Sequence, residues 1–506
     1  MSDNLYALFE SRFPADRSAP FIETPDGTAY SYADLEAVSA RYANLMADLG
    51  VAPGDRVAVQ VDKSPQNVFL YLACLRAGAI LLPLNTAYQK AEIGYFLGDA
   101  EPALFVCRPD RLDAAEAAAA EAGVPHVLSL GQADDGTLAE RSRGLSDWFE
   151  TAPTTADDVA AILYTSGTTG RSKGAMLSHR NLAANAVTLH SVWGFRPDDV
   201  LLHALPIFHT HGLFVAINCV LLNGSGMLFL DRFDAATVVR LLPRATVFMG
   251  VPTFYVRLLA APDFDGACCT DMRLFVSGSA PLLAETFNDF QARTGHTILE
   301  RYGMTETGMN TSNPLDGARV AGTVGPPLPD VEARACNEAG AILAPNEIGV
   351  LEVRGPNVFT GYWRMPEKTK QEFRDDGFFI TGDVALIDDR GYVHIVGRAK
   401  DLIICGGFNV YPKEIEGFID AIDGVGETAV IGLPHPDFGE AVAAVITRHG
   451  DGPGEDDIIG RLKGELANFK VPKRVFFIDD LPRNSMGKVQ KNELRDRYRD
   501  TFGADV

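Results

Sequence analysis

A chain of 506 residues is too long for one compact hydrophobic core, so at least two domains are expected. With 46% hydrophobic and 22% charged residues it is too apolar for disorder, and no biased tract suggests a fibre. The net charge of −22 repels nucleic-acid phosphates and anionic lipid, so neither is expected as a partner, and an anionic small substrate would need a local cationic site.

Seven cysteines occur without a Cys-x-x-Cys, and Cys268 and Cys269 are adjacent, which is poor geometry for a bridge. A disulfide framework or structural zinc site is therefore not expected, and a reducing cytoplasm is the natural compartment. Met1-Ser-Asp-Asn-Leu has no basic segment followed by a long apolar one, so no signal peptide is expected. The longest candidate for membrane insertion, Gly212 to Leu222, is about half the roughly 20 residues needed to span and contains Asn218.

Helix-like and strand-like segments alternate through most of the first 390 residues. Tyr32–Leu49 has helical spacing and stops at Gly50, Arg56–Val61 is a short β-rich run, and Pro65–Ala77 is helical again. Ala79–Pro83, Ala103–Cys107, Ala160–Tyr164, Gly226–Leu230, Thr246–Gly250 and Leu274–Val276 are short apolar runs bounded by turn residues, and Ala114–Gly123 reads as a surface helix. Such runs interleaved with helices predict parallel sheets covered on both faces. After about Gly340 the strands become alternating or aromatic: Gly349–Arg354, Phe378–Thr381 and Tyr392–Val396. An α+β unit then follows, with helices at Pro412–Ile422 and Glu455–Asn468 and strands at Glu427–Gly432 and Ala441–Thr447. The polar, glycine-led join Gly397-Arg-Ala-Lys-Asp401 places the domain boundary, giving domains of 1–398 and 399–506 with a hinge near Lys400.

The most informative segment is the apolar run Ala160–Tyr164 followed by Thr165-Ser-Gly-Thr-Thr-Gly-Arg-Ser-Lys-Gly174. Glycine lets the backbone approach an anion, hydroxyls donate to phosphate oxygens, and Lys173 adds a point charge, so a phosphate loop is preferred over a plain surface loop. Walker A is excluded because no glycine here precedes Gly-Lys at the required distance. Gly170-Arg-Ser-Lys-Gly174 does match the hydrolase pattern Gly-x-Ser-x-Gly, but Ser172 follows polar residues rather than an apolar strand, so a hydrolase stays a minor alternative.

Tyr164–Gly174 resembles the signature loop of adenylate-forming enzymes, which include acyl-CoA synthetases, luciferases and peptide-synthetase adenylation domains. The resemblance continues in the family's order through Leu205-Pro-Ile-Phe-His-Thr-His-Gly212, Ser277-Gly-Ser-Ala-Pro281, Tyr302-Gly-Met-Thr-Glu-Thr-Gly308, Thr381-Gly-Asp383, Gly397–Asp401 and Pro482-Arg-Asn-Ser-Met-Gly-Lys488. It implies an α/β fold: a large N-terminal AMP-binding domain of layered sheets plus a β-rich subdomain, a small mobile α+β C-terminal domain, and an active site between them. The implied reaction is attack of a carboxylate on the α-phosphate of ATP, giving acyl-AMP and pyrophosphate, followed by displacement of AMP by the thiol of coenzyme A. Two anions must meet, so cations and Mg²⁺ are needed.

By this resemblance Lys488 bridges the carboxylate and α-phosphate, and His209 stands at the acyl-pocket gate. Thr165, Ser166, Gly167, Thr168, Thr169 and Lys173 hold phosphates, as does Thr305; Glu306 and Thr165 hold Mg²⁺. Tyr302 stacks on adenine with Ser277, Gly278, Ser279 and Ala280 on its other face, and Asp383 and Arg398 hold the ribose. Gly406 and Gly407 line the pantetheine tunnel, and Lys400 is the hinge. His209 and His211 read on a strand would share one face as a metal pair, but no Cys or carboxylate completes a set. The resemblance further implies acylation of Lys488, hence a lysine acetyltransferase and deacetylase as partners.

Arg257 in Val251-Pro-Thr-Phe-Tyr-Val-Arg-Leu-Leu259 falls in a helix that the family places beside the acyl pocket. Buried among Phe254, Val256 and Leu258 it would need an anion, which a second substrate carboxylate could supply; otherwise it faces solvent or pairs with a protein acid. Gly303 and Met304 would close the pocket floor. The motif series most resembles malonyl-CoA synthetases, implying malonate as substrate with methylmalonate tolerated. Another short-chain acid, a carrier protein as acceptor, luciferase-type oxygen chemistry and a non-enzymatic nucleotide-binding scaffold are the competing readings; the scaffold predicts a degraded Lys488 or Glu306, and both are intact.

Overall fold

The computed structural model describes residues 3–165, 172–337, 339–405, 408–436, 438–450, 452–484 and 487–502. The chain divides into two compact units, one of Met1–Glu332 with Arg354–Phe379 and the other of Ala333–Val353 with Ile380–Val506.

Two large sheets carry the first unit. One runs in the order Gly308–Ser312, Ile298–Met304, Leu274–Ser277, Val247–Gly250, Val200–His203, Gly226–Phe229, Pro20–Glu23, Ala29–Ser31. Its inner pairs are parallel, with Phe248 opposite both Phe275 and Leu202, and only the end pairs are antiparallel. The other runs Gly361–Tyr362, Lys173–Ser178, Val159–Thr165, Ile80–Pro83, Arg56–Gln60, Leu104–Cys107, His126–Ser129. Parallel strands covered on both faces need continuous apolar runs, which is why Leu104–Cys107 and Val247–Gly250 are buried at every position. The helices that cover them begin and end on local signals. Ser31 and Asp34 form a capping box at Tyr32–Asp48, and the buried helix Pro65–Ala77 ends at Gly78 with φ +67°, where a Cβ would crowd Ala152 and Pro53 at 3.2 Å.

The apolar stretch near Gly212 is a π-helical turn, His211–Ile217, running into the α-helix Asn218–Asn223, and both lie in the core of this unit. Asn218, the polar residue in that stretch, accepts from Tyr71 Oη at 3.0 Å. Among the described residues no helix is long and apolar enough to cross a membrane.

The second unit holds a four-stranded sheet, Glu332–Cys336, Gly349–Arg354, Phe379–Ile387 and Val393–Arg398, which lies almost wholly within it. A second sheet runs Phe408–Val410, Ile403–Cys405, Gly439–Arg448, Val425–His435, with Arg474–Phe477 beside Gly439–Arg448. Helices Pro412–Asp420 and Glu455–Glu465 pack Ile415, Ile419, Ile458 and Leu462 onto it. The polar join read at 397–401 is the end of strand Val393–Arg398 and the short turn Ala399–Asp401; compactness groups that strand and its sheet with the residues that follow.

Candidate active site

In the first unit the strands Val159–Thr165 and Lys173–Ser178 form an antiparallel hairpin, with Thr165 opposite Lys173 and Tyr164 opposite Gly174. Ser166, Gly167, Thr168 and Thr169 lie outside the described residues. A hydrolase elbow requires a strand turning directly into a helix, whereas Ser172 leads into a strand, so the hydrolase reading is overturned.

A chain of oxygen and nitrogen contacts connects this hairpin to the segment before strand Gly308–Ser312. Thr165 Oγ1 donates to Glu306 Oε1 at 3.3 Å, and Tyr362 Oη lies 3.1 Å from the same oxygen and 2.7 Å from Glu372 Oε2. Glu372 also receives Lys173 Nζ at 3.0 Å and Lys368 Nζ at 2.9 Å, while the Lys173 ammonium sits 4.0 Å over the Tyr362 ring. Burial alone would raise the Glu372 pKa; hydrogen bonds from Lys368, Tyr362 and Lys173 overturn that and lower it. Neither Glu372 nor Tyr362 was marked by the sequence, since a Glu in a polar helical stretch and a Gly-Tyr pair carry no pattern.

In the same unit the motif Ser277–Ala280 leaves strand Leu274–Ser277 at the carboxyl end of the parallel sheet, where open α/β sheets place their ligands. Ser279 adopts φ +72°, and its Oγ lies 3.2 Å from His211 Nδ1. Tyr302 and Gly303 occupy a register irregularity of strand Ile298–Met304; a Cβ on Gly303 would stand 2.0 Å from the Gly308 carbonyl oxygen. Met304 Sδ is 3.8 Å from Tyr302 Oη.

His209 and His211 do not share a strand face. Leu213 N donates to His209 O at 3.0 Å and Thr210 is α-helical, so the turn sends the two rings in different directions. Burial pushes the His209 pKa down to about 4, and burial followed by Arg301 and His203 holds His211 well below its ordinary value, so both rings are neutral near pH 7. Among the described residues no group of three or more His, Cys, Asp or Glu could hold a metal ion. His209 and Thr305 line one concavity with Tyr88, Leu163, Tyr164 and Phe208.

Arg257 is not buried. Helix Pro252–Ala260 turns Tyr255 and Leu258 into the core and leaves Val256 and Arg257 exposed, and no described residue pairs with the guanidinium. A buried cation that the sequence reading missed is Arg301. It is 3% exposed on strand Ile298–Met304, and its Nε and Nη2 have no hydrogen-bond partner among the described residues. A Cβ on Gly278 would lie 2.5 Å from its Cζ, so the guanidinium rests directly on the Ser277–Ala280 motif. Burial pulls its pKa down to about 9, against Tyr255 and Glu300. The orphan Nε2 of His211 and Oγ of Ser277 are buried in the same unit. A charged pair, Glu300-Arg301, interrupting an apolar strand was the available signal.

The second unit brings together Asp383, Arg398, Lys400 and Lys488. Asp383 Oδ1 pairs with Arg398 Nε at 2.6 Å across neighbouring strands. Although Lys488 is exposed, the protein packed around its ammonium lowers the pKa, helped by the positive charges of Arg398 and Lys400 and opposed by Asp383 and Asp401. Gly406 and Gly407 lie outside the described residues.

The family described as AMP-binding enzyme matches residues 9–363, and its C-terminal domain matches residues 414–488. A feruloyl-CoA synthase from an Amycolatopsis species is 37% identical over 478 residues, covering 93% of this chain and 94% of the relative. The mitochondrial malonate–CoA ligase of Mus musculus is 37% identical over 480 residues, covering 87% of this chain and 81% of the relative. The crystal structure of ATP-bound MatB from Rhodopseudomonas palustris is 57% identical with a TM-score of 0.97, covering 99% of this chain and 100% of that one. With matches over residues 9–363 and 414–488, this chain belongs to the AMP-binding enzyme family.

Proposed function

We propose that this protein is an ATP-dependent acid–thiol ligase that converts malonate, with methylmalonate tolerated, to its CoA thioester through an acyl-adenylate, releasing pyrophosphate and AMP. The observation that carries the choice of acid is Arg301, a buried guanidinium whose Nε and Nη2 have no hydrogen-bond partner among the described residues, lying on the Ser277–Ala280 motif. An unpaired buried cation is costly, and a carboxylate is its natural partner. The relatives act on unlike acids, feruloyl-CoA synthase against malonate–CoA ligase, at equal identity. A buried guanidinium suits the second carboxylate of a dicarboxylic acid, a charge that a monocarboxylic acid does not bring. The likeness to MatB supports the same reading. Exposed Arg257 then serves as an outer guide to the dianion.

In this reading the neutral ring of His209 gates the acid without repelling or neutralising it, and Gly303 and Met304 close the floor. Tyr302 stacks on adenine against the Ser277–Ala280 backbone, the Asp383–Arg398 pair holds the ribose hydroxyls, and Thr165 to Thr169 with Lys173 and Thr305 receive the phosphates. Glu306 and Thr165 offer hard oxygen donors converging within 3.3 Å, which suits Mg²⁺ shared with substrate phosphates. When bound there, Mg²⁺ would offset the negative charge of the triphosphate. Lys488 balances charge between the acid and the α-phosphate in adenylation. Lys400 acts as hinge, Gly406 and Gly407 line the path of the pantetheine arm, and the cytoplasm is the compartment. Acetylation of Lys488, set and removed by an acetyltransferase and a deacetylase, would switch off the first half-reaction.

The test is ATP–pyrophosphate exchange with malonate and with propionate for Arg301→Met and Arg257→Ala. The malonate preference should collapse in Arg301→Met and fall only a few-fold in Arg257→Ala. Unchanged preference in Arg301→Met would refute the choice of acid.

A further inference from the structure

Lys488 follows a tight turn in the second unit. Arg483 and Val489 pair as an antiparallel bridge, Asn484 N donates to Lys488 O at 2.9 Å, and Gly487 N donates to Asn484 O at 2.9 Å. Asn484 Oδ1 accepts from Lys488 N at 2.9 Å, and Gly487 takes φ +73°, a left-handed conformation that glycine adopts without strain. Those contacts run between residues of the turn itself. Arg483 reaches beyond it: its Nη1 donates to Gly487 O at 2.6 Å, and its Nη2 donates to Glu427 Oε2 at 2.5 Å.

Glu427 is held for this contact by an irregularity in strand Val425–His435. The register against Gly439–Arg448 slips between Val425 and Thr428, and Glu427 N donates to Thr447 Oγ1 at 2.7 Å instead of to a backbone carbonyl. A Cβ on Gly426 would lie 2.6 Å from that hydroxyl. Bulges re-aim a side chain, and this one turns the carboxylate toward the turn that precedes Lys488. The pair is partly exposed, with side chains 24% and 44% accessible, so it adds little to overall stability. Its geometric effect is larger, because one guanidinium spans from the carbonyl next to Lys488 to the central sheet.

We infer that Arg483 and Glu427 are positioning residues that hold the turn carrying Lys488 in register for acyl-adenylate formation. This rests on the proposed role of Lys488. Misplacing a reacting group by about 1 Å can cost on the order of a hundredfold in rate, so loosening the turn should be felt in the step that uses Lys488.

The experiment compares Glu427→Gln, Arg483→Met and Arg483→Lys with Lys488→Ala, and with Arg474→Met, which breaks the exposed Arg474–Glu455 pair elsewhere in the unit. Each is assayed for malonate-dependent ATP–pyrophosphate exchange, for thioester formation from preformed malonyl-AMP and CoA, and for thermal midpoint. Glu427→Gln and Arg483→Met should slow exchange about tenfold or more while thioester formation changes less than about twofold and the midpoint moves less than about 2 °C. Arg483→Lys, which cannot span both acceptors, should stay low, and Arg474→Met should behave as the parent. Equal losses in both half-reactions, or a lowered midpoint, would make the pair merely structural and overturn the inference. If Lys488→Ala keeps full exchange, the role of Lys488 falls and the inference with it; if Lys488→Ala is inactive but Glu427→Gln and Arg483→Met are not slowed, only the inference falls.

Discussion

Asp383 and Arg398 face each other across two antiparallel strands, joined Oδ1 to Nε at 2.6 Å, with Asp383 only 3% exposed. The Asp383 amide is tied to Thr381 Oγ1 at 3.0 Å, and that hydroxyl donates to Leu351 O at 2.7 Å, so the carboxylate is set by the sheet rather than by a loose turn. Asp383→Asn should raise the KM for ATP by about tenfold, the range expected for losing charge-assisted hydrogen bonds to a ribose. Exchange kinetics at varied ATP check it, with the KM for malonate unchanged.

Glu372→Gln should destabilise the first unit by about 3 kcal/mol, because Lys173, with a side chain 10% exposed, would lose its only carboxylate partner among the described residues. Urea unfolding measures this. The sign with pH follows from the lowered pKa of Glu372. Its stabilisation is present above the ordinary carboxylate pKa and is lost as pH falls through the folded value. The difference between parent and variant should therefore shrink in acid.

Asp420 gives the opposite slope. Burial pushes its pKa up to about 7, with Thr428 and Lys413 opposing and Glu416 and Glu427 reinforcing. A carboxyl that is easier to protonate in the folded state stabilises below its unfolded value, and that contribution is lost as pH rises toward 7. Asp420→Asn should stabilise the second unit by about 2 kcal/mol at pH 8 and leave it nearly unchanged at pH 4. Thermal midpoints across that range decide the point, and a pH-independent difference would refute it.

Gly278→Ala should displace the Arg301 guanidinium, since the added Cβ would stand 2.5 Å from its Cζ. The expected result is a malonate KM raised at least tenfold with a smaller change in the KM for ATP. Equal changes in both would contradict the placement of the guanidinium at the acid rather than the nucleotide.

Much of the architecture was readable because parallel strands must be apolar throughout. The runs at Arg56–Gln60, Leu104–Cys107 and Val247–Gly250 stand within a residue or two of where the sequence put them. Strands such as Gly308–Ser312 were not readable, since Gly-Met-Asn-Thr-Ser owes its burial to neighbouring sheet and loop rather than to its own composition. Arg257 misled because Val256 looked like a core residue, yet helical geometry turns both outward while Tyr255 and Leu258 go in. Arg301 escaped because local pattern does not reveal that both charges of the Glu300-Arg301 pair are buried. The Lys173–Glu372 contact joins residues 199 apart in the chain, a separation no motif reports.

The contact between Gly278 and Arg301 also bears on how such a protein can diverge. A lineage that keeps the guanidinium in this place is constrained at the glycine, while one that trades it for a smaller neutral side chain leaves room there for a methyl group. Changes at the two positions should thus be inherited together.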